Sequence, residues 1–195
     1  MAGKTPKNYA FIDSQNLNLG VQSAGWKIDY QKFRLYLKNK YGVDQAYIFI
    51  GKMLGNQDLY TALQKAGYIL VFKPTVAYVE NGKRTQKGNV DAELVLYAAA
   101  KVYDDYDKAI IVSGDGDFYC LAEYLSENDK LLRILVPNHK FSKLLKKFAK
   151  FTTRIDALQS KLEYKKRLNK KPTLAVGRNL RQSRRRSRSS GRSKP

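Results

Sequence analysis

The stretch "AIIVSGDGDFYCL", residues 109–121, decides how this chain is read. It begins as Ala109-Ile110-Ile111-Val112, turns polar at Ser113-Gly114-Asp115-Gly116-Asp117, and becomes apolar again at Phe118. An apolar run without polar alternation marks a parallel strand covered on both faces. The polar interruption has two readings. One is a turn, with Gly and Asp as turn formers and Asp117 as N-cap of a helix starting at Phe118. The other is chemical: carboxylates at the carboxyl end of a strand meet others there and form an oxygen-only cation site.

The same alternation extends outward in both directions. Apolar runs at residues 8–14, 44–52, 68–73, 107–114 and 130–137 read as strands, with a short further one at 152–156. Between them, residues 29–42 place Tyr30, Phe33, Leu37 and Tyr41 at helical spacing, with Gly42 as the stop. Helices are also predicted over 56–67, closed by Gly67, and over 89–106, 117–128 and 140–151. Residues 75–88 carry an Asn81-Gly82 turn between short extended arms and read as a hairpin or flap. The rhythm predicts an α/β fold, a three-layer, doubly wound parallel sheet.

The charge is unevenly spread. The 195 residues carry a formal net charge of +20, and residues 161–195 hold fourteen Lys and Arg against Glu163 alone. We therefore expect a folded domain over residues 1–160 and a basic, Arg/Ser-rich, disordered tail over 161–195. Such a surplus points to a polyanionic partner, with nucleic acid favoured. A membrane is not indicated, because no apolar run approaches the roughly 18 residues a spanning helix requires. The N-terminus lacks the apolar stretch of a signal peptide. Cys120 stands alone, which fits a reducing cytoplasm, and its neighbours Phe118, Tyr119 and Leu121 suggest a core position. His139 is the single histidine, so mechanisms with paired histidines are excluded.

The carboxylates are expected to converge. Asp13 ends the first strand, and Asp115 and Asp117 follow the strand at 107–114. In a doubly wound sheet these two strands are expected neighbours, which places the three side chains on one edge. Asp91 opens the helix leading into that strand and reaches the same edge. Carboxylates brought together repel unless a cation or proton intervenes, and an oxygen-only set suits Mg2+ or Mn2+. Gly114 and Gly116 are expected to permit tight turns that aim the aspartates.

The segments "FIDSQNL" (11–17), "KGNVDAELVLYA" (87–98) and "IIVSGDGDFYCL" (110–121) resemble the signature segments of the NYN domain, the LabA-like branch of the PIN-like ribonuclease superfamily. The resemblance covers residues 8–156. It implies a PIN-like sheet flanked by helices and metal-dependent cleavage of RNA phosphodiesters, the activity of an endoribonuclease. It maps the catalytic, metal-binding set onto Asp13, Asp91, Asp115 and Asp117, and a further catalytic position onto Asn16. Ser14-Gln15 departs from the Gly-Asn common in the family. The alternative reading is a catalytically inactive RNA-binding or adaptor module.

Cations near the acidic centre are the candidates for holding RNA, single-stranded or structured. They are Lys83, Arg84 and Lys87 in the flap, Lys140 and Lys143 in the last helix, and Arg184, Arg185 and Arg186 in the tail. Trp26 and Tyr78 are candidates for stacking on bases. The oligomeric state is left open, with a homodimer retained among the partners, and DNA is retained as a substrate.

Overall fold

The computed structural model describes residues 6–53, 55–73, 76–80, 83–87 and 90–165, with 76–80 and 83–87 described by their backbone pairing. The chain runs β1 (Asn8–Asp13), α1 (Ser14–Ser23), α2 (Tyr30–Tyr41), β2 (Val43–Gly51), α3 (Gln57–Lys65) and β3 (Ile69–Lys73). An antiparallel ribbon follows, β4 (Val76–Glu80) and β5 (Lys83–Lys87), and then α4 (Asp91–Leu96). The second half is β6 (Lys108–Val112), α5 (Tyr119–Glu127), β7 (Leu131–Val136), β8 (Thr152–Arg154) and α6 (Gln159–Leu162). Six strands form one sheet in the order β3-β2-β1-β6-β7-β8, with every neighbouring pair parallel.

The sheet is buried on both faces because its apolar residues are continuous rather than alternating. On β1, Tyr9 and Phe11 point into one core and Ala10 and Ile12 into the other. The first core is closed by Leu94 of α4 and by Leu121 and Leu125 of α5. The second is closed by Leu17 and Val21 of α1, Phe33 and Leu37 of α2 and Leu63 of α3. Each such fully buried side chain contributes about 1.5–3 kcal/mol relative to exposure. This is the three-layer architecture predicted from the sequence.

Local signals set the helix ends. The Asp29 carboxylate accepts the Gln31 and Lys32 N–H groups at the start of α2, and Gly42 ends that helix with φ 62°. The first helix, α1, is not predicted from the sequence, because Leu17 and Val21 are its only buried apolar residues among polar ones. The long helix expected over 89–106 is broken. After α4, residues Tyr97–Lys101 widen into a π turn and Tyr103–Asp105 tighten into a 3-10 turn. The cause is a competing donor: the Tyr106 hydroxyl donates to the Ala98 carbonyl at 2.5 Å, while the Val102 N–H goes back five residues to Tyr97. The segment Lys143–Phe151 is 3-10 rather than α-helical. It buries Leu145 and Phe148, three apart, and leaves Leu144 exposed.

The end of the domain is stitched to its first half. The Asp29 N–H donates to the Leu162 carbonyl and the Tyr164 N–H to the Lys27 carbonyl, both at 2.8 Å. Among the described residues no helix is long and apolar enough to cross a membrane.

Candidate functional site

Strand order creates the site. From β1 the chain moves through β2 to β3 on one side, and from β6 through β7 to β8 on the other. The connections leaving β1 and β6 therefore diverge, and a crevice opens between them at the carboxyl edge, where ligands bind in doubly wound sheets.

Two hydrogen bonds tie the walls of this crevice together. The buried Asp13 carboxylate accepts from the Ser113 hydroxyl at 3.3 Å, and the Asn16 side-chain oxygen accepts from the Gly114 N–H at 2.8 Å. Asp13 also N-caps α1, accepting the Asn16 N–H at 3.0 Å. Ser113 is fully buried, and its oxygen in turn accepts the Asp115 N–H at 3.2 Å. Asp13 and Asn16 thus serve the helix start and the crevice at once.

Asp13, Asp91 and Asp115 line one open pocket of ≈ 340 Å³, together with Gln15, Asn16, Leu19 and Val90. Strand β1, which ends at Asp13, and β6, which leads to Asp115, are neighbours, as the sequence predicts. Asp117 differs. It is exposed and outside the lining, and it does not cap the following helix. Asp115 takes the cap instead, accepting the Asp117 N–H at 3.1 Å. The glycines serve the tight turn without left-handed backbone. Neither is among the glycines with positive φ. A Cβ on Gly116 would stand 2.5 Å from the Ser142 hydroxyl oxygen, and one on Gly114 3.1 Å from the Phe141 Cβ. Their absent side chains permit close packing of the 3-10 segment rather than a left-handed turn.

Burial pushes the Asp13 carboxyl up from its ordinary value, and the Asp91 charge pushes it further, against the hydrogen bonds from Asn16 and Ser113. The pocket therefore carries negative charge that a cation would relieve. Among the described residues no three acidic, His or Cys side chains stand close enough to hold one ion together. The donor set thus fits a loosely held Mg2+ or Mn2+, which keeps several waters and takes one or two carboxylates with substrate phosphate, and does not fit an all-protein cage.

The candidate RNA contacts are dispersed. Lys140 lines an adjoining cavity of ≈ 270 Å³ with Asn16, Gly114, Asn138 and Phe141. Lys143 is exposed at the start of the 3-10 segment. Lys83, Arg84 and Lys87 lie on β5, opposite Glu80, Val79 and Val76, and Tyr78 lies on β4 opposite Thr85. Arg184, Arg185 and Arg186 lie outside the described residues. Lys147 is committed to Glu123 at 2.6 Å. Trp26 is not a stacking surface: it is 3% exposed, in the core beside α1. Cys120 is exposed rather than core, because α5 turns Leu121, Ala122 and Leu125 inward. Sequence reasoning missed Gln15, Leu19 and Val90 as pocket walls. The Asp13 cap with Leu17 and Val21 four apart is the signal that would have placed Gln15 and Leu19 on a helix.

Comparison with known proteins gives a consistent assignment. The NYN domain family model matches residues 9–159. The Low amplitude and bright protein LabA of Synechococcus elongatus is 31% identical over 133 residues, 64% of this chain and 70% of that protein. A crystal structure of a protein of unknown function from Vibrio parahaemolyticus has the same fold, with a TM-score of 0.70. The match covers 83% of this chain and 99% of that one at 24% identity.

Proposed function

The chain belongs to the NYN domain family, and from that premise we propose that it is a metal-dependent endoribonuclease whose centre is the pocket of Asp13, Asp91 and Asp115. The observation that supports this reading is that those three aspartates line one pocket at the switch point of the sheet.

In this reading one or two of Asp13, Asp91 and Asp115 would hold Mg2+ or Mn2+, with water and substrate phosphate completing the shell. The ion supplies positive charge that polarises a phosphate oxygen and lowers the pKa of water. Asp91 or Asp117 orients the attacking water and accepts its proton as the water oxygen bonds to phosphorus, while the bridging oxygen leaves with the P–O electron pair and takes a proton from solvent. Asn16 spends its side-chain oxygen on the Gly114 N–H, which leaves its amino group to donate to a phosphate oxygen. Lys140 and Lys143, with Lys83, Arg84 and Lys87 of β5, neutralise flanking phosphates.

A specific observation favours the second reading, RNA binding without cleavage: no three carboxylates are gathered at ligating distance among the described residues. Labelled single- and double-stranded RNA and DNA, incubated with Mg2+, Mn2+ or EDTA, separate the two. Cleavage of RNA with either metal and none in EDTA is the expected outcome. Binding without cleavage under every condition removes the hydrolase.

The basic segment is assigned to affinity rather than chemistry. Residues 161–195 hold fourteen Lys and Arg, and phosphate contacts of this kind release counterions without reading sequence. Tyr164 is pinned to Lys27, so the informative truncation ends at Lys165. It should weaken RNA binding and flatten the salt dependence by about 0.7–0.9 in log–log slope for each phosphate no longer neutralised. An unchanged slope, measured across a salt series, rules out this role.

A further inference from the structure

A second cavity adjoins the acidic pocket and has a different chemistry. Its volume is ≈ 370 Å³, and it shares Gln15 and Val90 with the acidic pocket. Tyr30, Phe49 and Met53 contribute its apolar surface, and Asn18 and Asn56 join Gln15 as its amides. No charged side chain lines it among the described residues.

Those features select the ligand. A phosphate or other ion would lose its hydration here without a compensating charge, which is costly. A neutral, flat molecule with mixed donors and acceptors on its edge meets both kinds of wall. The amides have capacity to spare. Asn56 occupies the N-cap position of α3 yet makes no capping bond. The Asn18 oxygen accepts from the Gln22 side chain at 3.0 Å, which leaves its amino group available. Gln15 is exposed on the wall common to both pockets. The other cavity that adjoins the acidic pocket, lined by Lys140, suits charged backbone instead.

We propose that this cavity is a nucleobase subsite, taking the base of the nucleotide next to the phosphate held at the acidic pocket, with Asn18, Asn56 and Gln15 reading its edge. The proposal rests on the assignment of single-stranded RNA as the ligand of that pocket. A side-chain amide offers donor and acceptor groups in one plane, the pattern that discriminates among base edges, so the subsite confers base preference as well as affinity.

The test uses the full chain carrying Asp115→Asn, so that RNA remains intact during measurement. Short single-stranded RNAs are compared that differ only in carrying A, C, G, U or an abasic residue at one position, moved along the strand. At one position the abasic residue should weaken binding by about tenfold or more, and the four bases should differ there. Adding Asn56→Ala, or Asn18→Leu as a second variant, should reduce that difference to about twofold or less. Asn56 makes no cap bond, so α3 should keep its stability, and a thermal melt checks this for both variants. Equal binding of all five RNAs at every position overturns the subsite. So does full retention of the preference in both folded variants. Base-dependent binding by a wild-type protein that never cleaves sustains the subsite and sinks only the hydrolase. No binding of any RNA overturns both.

Discussion

Asp115→Asn should lower metal-dependent RNA cleavage by at least about 100-fold while the domain stays folded. The expectation rests on what the substitution keeps. Asn retains a side-chain oxygen to accept the Asp117 N–H, the bond that caps the 3-10 turn. The Asp115 N–H still donates to Ser113, because that bond uses the backbone. What disappears is one negative charge in a pocket whose other acidic walls are Asp13 and Asp91. Metal polarisation of phosphate contributes several kcal/mol to such reactions, and each 1.36 kcal/mol is about a factor of ten in rate. Single-turnover cleavage of labelled RNA by wild type and variant, purified in parallel and matched by circular dichroism, provides the measurement. Equal rates would place the activity elsewhere or in a contaminant.

Asp13→Asn should abolish cleavage to a similar extent and, in EDTA at neutral pH, raise the melting temperature. Asp13 is buried, and desolvation, followed by repulsion from Asp91, holds its carboxyl above the ordinary value. The folded state therefore binds the proton more tightly than the unfolded state. Stability falls as pH rises from the ordinary carboxylate value through the raised one and is flat above it. Asn removes that loss. It caps a helix as well as Asp does, and its amide can exchange hydrogen bonds with Ser113, whose hydroxyl both donates and accepts. The stabilisation should be present at neutral pH and vanish in acid, where Asp13 is protonated in both states. Millimolar Mg2+ should narrow the gap, because binding to the folded wild type adds stability by mass action. Melting curves across pH, with EDTA or Mg2+, decide it. A variant less stable than wild type in EDTA at neutral pH would contradict this account of Asp13.

Much of this was legible in the sequence because strands buried on both faces leave uninterrupted apolar runs. Residues 8–13 and 108–112 could be placed as neighbours for that reason, and Asp13 and Asp115 followed. Helix α2 was legible through its spacing and Gly42. The failures share a cause, since each depends on a partner distant in the chain or on the phase of an element. Helix α1 hides because its outer face is polar and its inner face is two residues wide. The widened turn at Tyr97–Lys101 depends on a tyrosine hydroxyl from outside the helix. Trp26 follows Gly25, whose φ of 86° turns the chain back toward the core. Cys120 was read from its neighbours in sequence, whereas the phase of α5 decides its side.

The pairing of β1 with β6 brings Tyr9 beside Ala109 and Ile12 beside Val112. Seen along the ribosome's direction of travel, this makes the domain slow to become itself. Strand β1 can join β2 once residue 51 has emerged, but its other edge waits for residues 108–112. Long-range parallel pairing of this kind carries a loop-closure cost that is met before the pairing repays it. Until then an unpaired strand edge, flanked by apolar side chains, is open to mistaken partners. The crevice has no half-built form either, because Ser113 and Gly114 supply its second wall. A nascent chain stopped before Ser113 carries neither wall nor ligand from that side, so the acidic centre is completed only late in synthesis.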